Sequence, residues 1–109
     1  MSNSFKDSLK KLSDLNLIHF SKFSQRGIEK ESLRVNNSNI STSEHPKILG
    51  AALTNPFITT DFSEALLELI TSKAPTIEKT LSDLKIILAY THQNIEDLVW
   101  PGSIPCSIK

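Results

Sequence analysis

A chain of 109 residues suits one small domain, and 39% hydrophobic with 22% charged residues is a globular rather than a disordered composition. Twelve basic residues balance twelve acidic ones, so there is no basic excess to attract nucleic acid or an anionic membrane surface. No apolar run approaches the roughly 20 residues of a membrane span. No continuous apolar segment follows the lysines of MSNSFKDSLKKL as it would in a secretory signal, and the lone Cys106 has no internal disulfide partner, so the reducing cytoplasm is the expected compartment.

Phe5, Leu9, Leu12 and Leu15 recur at helical spacing and predict a helix over 3–15, with Ser4 as its N-cap. The short apolar segment 17–23 takes no assignment. Residues 28–35 alternate and predict a strand. Asn36-Asn37-Ser38-Asn39 follows as a turn, because Asn tolerates the left-handed backbone, and residues 40–43 read as the returning arm of a hairpin. His45-Pro46 is expected to open a short helix through about Leu53, with His45 as its cap and Pro46 in the first turn. Residues 58–75 are ambiguous. Read as a helix, Asp61, Glu64 and Glu68 share a face; read as a strand, residues 65–71 are a nearly continuous apolar run around Glu68. The run is short and Pro75 closes it, which favours a strand from about Leu66. Ile77, Leu81, Leu84, Leu88, Thr91, Ile95 and Leu98 then step by three and four. They predict an amphipathic helix from Thr76 to about Val99, ended by Pro101-Gly102.

The carboxylates of RGIEKESLRV raise a physical question. On a strand, Glu29 and Glu31 point to the same side as Leu33 and Val35, while Lys30, Ser32 and Arg34 point to the other. If Leu33 and Val35 mark the buried side, two like charges are buried with them, at a cost of several kcal/mol per unpaired group. A divalent cation removes that conflict. Mg2+ is hard, takes oxygen ligands, and is commonly held by carboxylates together with phosphate oxygens. Glu68, embedded in ALLELI, raises the same question. The competing reading is a solvated strand whose end frays, and for Asp61 a helix N-cap before Ser63-Glu64.

Three strings, QRGIEKESLRV, HPKILGAALTNPFITTDFSEALLELIT and WPGSIPC, occur in this order from Gln25 to Cys106. Together they resemble the N-terminal part of bacterial glutamate–cysteine ligases, whose pattern runs QRG-hydrophobic-E-R-E-T-L-R-V, then HP-x2-LG-x-ALTH, ITTDF-x-E-x-LLE-hydrophobic-IT and WP-x-S-x-PC. The first 24 residues match only in looking helical. The resemblance implies an α+β fold, a partial antiparallel sheet flanked by helices, as the N-terminal piece of a glutamine synthetase-like carboxylate–amine ligase. It implies ATP-dependent joining of the glutamate γ-carboxylate to the cysteine amine through γ-glutamyl phosphate, the first step of glutathione synthesis, with ATP, glutamate and cysteine as substrates and Mg2+ as cofactor. Glu29 and Glu31 stand where the family has its first two metal-binding glutamates, and Asp61 and Glu68 where it has two more. On this reading the acids face inward because they hold magnesium. Phe62 falls near the cysteine pocket, and Arg34 either meets a phosphate or substrate carboxylate or lies at the surface.

Other residues keep structural readings: Glu64 as a surface charge, Cys106 as a small packed residue, Trp100 as a packing anchor, and His19 and His92 with no ligand partner at metal spacing. The departures from the family are Lys30 for Arg, Ser32 for Thr, and Asn55-Pro56 for His-Lys, the proline stiffening the approach to ITTDF. Family members are several times longer. Residues 1–109 are therefore expected to form a single truncated domain, the N-terminal portion of the ligase catalytic domain, with the adenine pocket and most substrate contacts supplied by the remainder of the ligase. Open sheet edges would leave such a piece weakly stable or self-associating. The alternative function is a non-catalytic packing or interaction module derived from the ligase.

Overall fold

The computed structural model describes residues 3–16, 19 and 22–102. Its elements are α1 (Asn3–Asp14), β1 (Glu29–Asn36), β2 (Asn39–Ile40), β3 (Ile58–Thr60), β4 (Leu66–Ile70), α2 (Ile77–Asn94) and β5 (Leu98–Val99). All strand pairs are antiparallel; the order is β2-β1-β4-β3, and β5 pairs with the C-terminal end of β1. The expected α+β class and antiparallel sheet are present.

The register of β4 decides which side of the sheet is the core. Leu67 pairs with Ser32 and Thr60, and Leu69 with Lys30 and Ile58, so these side chains share one face. Leu67 and Leu69 are fully buried there, together with Leu49 and Ile58. Helix α2 covers them with Leu84, Ile87 and Leu88, and Ile95, just past its end, adds to the cover. Each such buried leucine contributes about 1.5–3 kcal/mol.

Helix α2 begins where the sequence places it. The Thr76 hydroxyl accepts the Lys79 N–H at 3.2 Å and caps the first turn. It ends earlier than predicted, at Asn94, because Leu98 and Val99 are taken into the sheet by β1. Its buried stripe follows the predicted one through Leu84, Leu88, Thr91 and Ile95 and departs from it only in the first turns, where Thr80 takes the buried side. Thr80 and Thr91 are buried, their hydroxyls donating to the Thr76 and Ile87 carbonyls, whereas Ile77 and Leu81 are exposed. The predicted helix after His45-Pro46 shrinks to one 3-10 turn, Lys47–Leu49, with Pro46 rather than His45 in the cap position. Gly50 ends that turn at φ +90°, and a Cβ there would lie 2.8 Å from the Asn55 amide nitrogen. Asn55 in turn donates to the Leu49 carbonyl and accepts from the Phe57 N–H, fixing the approach to β3.

Helix α1 starts at Asn3, so Ser4 lies inside its first turn, and none of its residues is buried. Its apolar stripe of Phe5, Leu9 and Leu12 is between 43% and 48% exposed. Cys106 and most of the WPGSIPC string lie outside the described residues.

The β1–β2 hairpin closes with Asn36 opposite Asn39, leaving Asn37 and Ser38 at φ 47° and 66°. Two successive left-handed residues make the turn whose twist matches the strands. The returning arm is shorter than expected and ends at Ile40. Serine has a Cβ penalty in this conformation that glycine lacks. Ser38→Gly should raise unfolding stability by about 0.5–1 kcal/mol, read as a higher urea midpoint with an unchanged m-value.

Candidate functional site

The face of the sheet opposite α2 carries the acids. Glu31 on β1 pairs directly with Glu68 on β4, and Glu68 pairs in turn with Thr59 on β3. Glu29 lies on the same face, one alternation before Glu31. Asp61 follows the last residue of β3, one alternation beyond Thr59. Four carboxylates thus belong to one open surface, Glu29, Glu31 and Asp61 exposed and Glu68 half-buried. Among the described residues none of them makes an ion pair.

This corrects the expectation that the acids face inward. The buried side of β1 is that of Lys30, Ser32 and Arg34, with Ser32 4% and Arg34 1% exposed. The reason lies in β4, where Leu67 and Leu69 alternate with Glu68 and carry a stronger apolar signal than Leu33 and Val35 do in β1. Val35 is buried near the far end of its strand, against β5.

Like charges directly opposite on neighbouring strands repel. The Glu68 carboxyl is pushed above its ordinary range, first by desolvation and then by Glu29, Asp61 and Glu31. Among the described residues no three His, Cys, Asp or Glu side chains are gathered tightly enough to hold an ion as they stand. Asp61 caps no helix; it opens the β3–β4 connection, its N–H donating to the Leu66 carbonyl at 3.3 Å. Phe62 follows it, 95% exposed. Glu64 is exposed, as read from the sequence.

Arg34 stands on the opposite face and is not at the surface. Its Nη1 donates to Asp97 Oδ2 at 2.6 Å and to Ser41 Oγ at 3.4 Å. Its Nη2 donates to the carbonyls of Ser43 (2.6 Å), Glu44 (3.2 Å) and Glu64 (3.0 Å). Asp97 also accepts from Ser41 Oγ and the Asn36 amide. Burial alone would raise the Asp97 carboxyl, but the hydrogen bonds from Ser41 and Asn36, with the charge and hydrogen bond of Arg34, hold it below its ordinary range. Sequence reasoning missed Asp97. The available signal was an acid set just before the apolar pair Leu98-Val99, with a strand arginine needing a partner. His45 is buried against this group, and neither ring nitrogen reaches a full hydrogen bond. Burial first and the Arg34 charge second keep its imidazole below the ordinary range, against weaker opposing pulls from the Gly50 backbone and Glu64.

The glutamate–cysteine ligase family model matches residues 9–109. The chain belongs to the glutamate–cysteine ligase family. It is similar to the glutamate–cysteine ligase of Francisella tularensis, crystallised in complex with AMP, at 44% identity and a TM-score of 0.74 over 78% of this chain. It is also similar to a bifunctional glutathione synthetase from Pasteurella multocida, at 34% identity and a TM-score of 0.72 over 84% of this chain. The matches cover 18% and 13% of those two proteins, so this chain spans under a fifth of either. Its likeness is to the N-terminal part of a bacterial ligase of this family.

Two carboxyls shifted in opposite directions give opposite pH signatures. The folded-state value of Asp97 lies below the unfolded one, so its stabilisation is present above about pH 4 and lost as pH falls through the folded value. Asp97→Asn, which leaves the Arg34 charge buried without its partner, should cost about 3–5 kcal/mol at pH 7, and the deficit should shrink in acid. For Glu68 the folded-state value lies above the unfolded one, so stability is full below about pH 4 and falls as pH rises through the raised value. Glu68→Gln should therefore be more stable than the parent chain at pH 7 and equal to it at about pH 3.5, read by urea unfolding at both values.

Proposed function

We propose that this chain supplies one wall of the active site of an ATP-dependent glutamate–cysteine ligation, and that its acidic sheet face holds magnesium there. The observation that carries the reading is the direct pairing of Glu31 with Glu68 on an uncovered face, with Glu29 and Asp61 beside them and, among the described residues, no ion-paired cation. Such an arrangement destabilises the sheet unless a cation binds it. The residues fit Mg2+ in donor type, all hard carboxylate oxygens, and in sharing one surface. Glu29, Glu31, Asp61 and Glu68 are the residues that would hold it, with side-chain rotation drawing the carboxylates together. The chemistry a bound Mg2+ supplies is neutralisation of charge on a transferred phosphoryl group.

The substrates on this reading are ATP, L-glutamate and L-cysteine, and the product is γ-glutamylcysteine formed through γ-glutamyl phosphate. The family match supports the amino-acid pair, and the AMP bound by the Francisella enzyme supports an adenine nucleotide. The chain's own groups present the carboxylates and, through the exposed Phe62 ring beside Asp61, offer an apolar surface to the cysteine side chain. The remainder of the ligase would supply the other walls. Among the described residues no helix is long and apolar enough to cross a membrane. The lone cysteine fits the reducing cytoplasm as the working compartment.

The test replaces the matching segment of the Francisella enzyme with this chain. Phosphate release from ATP in the chimera should require both glutamate and cysteine. Glu31→Gln should lower that release about 100-fold and raise the Mg2+ concentration needed, without lowering the melting temperature. Release that persists in Glu29→Gln and Glu31→Gln with unchanged magnesium dependence would remove the metal assignment.

A further inference from the structure

We infer that Arg34 is a positioning residue for the acidic face: from the opposite side of the sheet its buried guanidinium fixes the Asp61–Ala65 connection, and so sets where Asp61 stands relative to Glu31 and Glu68. The connection has little else to hold it. Asp61, Phe62, Ser63 and Glu64 are all exposed, so packing does not anchor them. Its own backbone supplies two hydrogen bonds, Asp61 N–H to the Leu66 carbonyl and Leu66 N–H to the Ser63 carbonyl. Arg34 grips it twice more. Its main-chain N–H donates to the Ala65 carbonyl at 2.7 Å, and its Nη2 donates to the Glu64 carbonyl at 3.0 Å. The same guanidinium is itself fixed by Asp97, Ser41 and the Ser43 and Glu44 carbonyls, so it cannot follow the connection if the connection moves.

The entry of the connection is pinned as well. The Ala52 carbonyl accepts the Thr60 N–H at 2.8 Å and both threonine hydroxyls of β3. Asp61 therefore sits at one end of a short span fixed at Thr60 and at Glu64-Ala65. Only an arginine serves at the second point. A lysine carries the same charge on one ammonium, which cannot span Asp97, Ser41 and carbonyls from three residues at once.

The experiment is Arg34→Lys in this chain, read by amide hydrogen exchange and by Mn2+ titration; only the Mn2+ arm rests on the magnesium reading above. Exchange at Asp61 and Leu66 should accelerate about tenfold while Leu69, inside β4, stays within about twofold. Mn2+ binding, followed by paramagnetic broadening of the Glu31 and Glu68 amides, should weaken about tenfold. Unchanged exchange at Asp61 and Leu66 overturns the inference, as does uniform acceleration through β4, which is what a purely structural arginine gives. If Arg34→Lys fails to fold, Ser41→Ala removes the hydroxyl between Arg34 and Asp97 without changing charge. It should accelerate Asp61 and Leu66 selectively by about threefold, and equal exchange at all sites again overturns the inference. Absence of Mn2+ binding by the parent chain would remove the magnesium reading, while the exchange arm still decides the role of Arg34.

Discussion

A fully buried arginine organises this chain. A guanidinium cannot lose its proton, so taking it out of water is tolerable only where its donors meet acceptors. Both Nη atoms of Arg34 meet that condition by drawing in the Asp97 carboxylate, the Ser41 hydroxyl and carbonyls from Ser43, Glu44 and Glu64, and only its buried Nε has no acceptor. These groups come from separate stretches of chain, and each is placed by the need to satisfy one side chain. The demand reaches α2: Asp97 must stand at Arg34, the helix stops at Asn94, and Leu98 and Val99 join the sheet.

The two faces of the sheet follow from one short strand. In β4, Leu67 and Leu69 point to α2, while Leu66, Glu68 and Ile70 point away from it. Burial of the two leucines fixes the register, and a slip by one residue would send Glu68 into the core. The same register places Glu68 opposite Glu31. Core packing thus enforces a repulsion that no ion pair among the described residues relieves, and this repulsion adds to desolvation in raising the Glu68 carboxyl. A sheet selected for stability alone would have a cross-strand pair of opposite charge at that position.

Much of this was legible in the sequence. The alternation of β1, the Asn-rich hairpin turn, the start of α2 at Thr76 and the apolar run of β4 each carry a local signal, and each element appears where that signal lies. The four acids were legible as a group through their motifs, but the side of the sheet they occupy was not. In β1 the only apolar residues after Ile28 are Leu33 and Val35, and they share the acids' side; the deciding information sits in β4, a strand distant in the chain. β3 and β5, of three and two residues, are too short to show a period. The Arg34–Asp97 pair spans 63 residues of sequence, and nothing local to either announces the other.

The sheet also separates two kinds of surface. The carboxylates lie on one side. On the other, α2 shields Leu67 and Leu69 and turns Ile77, Leu81 and Ile86 outward, each more than half exposed. Those side chains lie beyond the helix, with the whole sheet between them and the acids. The exposed apolar side chains of α2 and the acidic face therefore belong to separate surfaces. Arg34 connects the two sides: its side chain belongs to the covered face, while its contacts at Glu64 and Ala65 hold the connection that carries Asp61. A disturbance in packing beneath the sheet reaches the carboxylates above it through that residue, because the exposed connection has only two hydrogen bonds of its own and the acids repel one another.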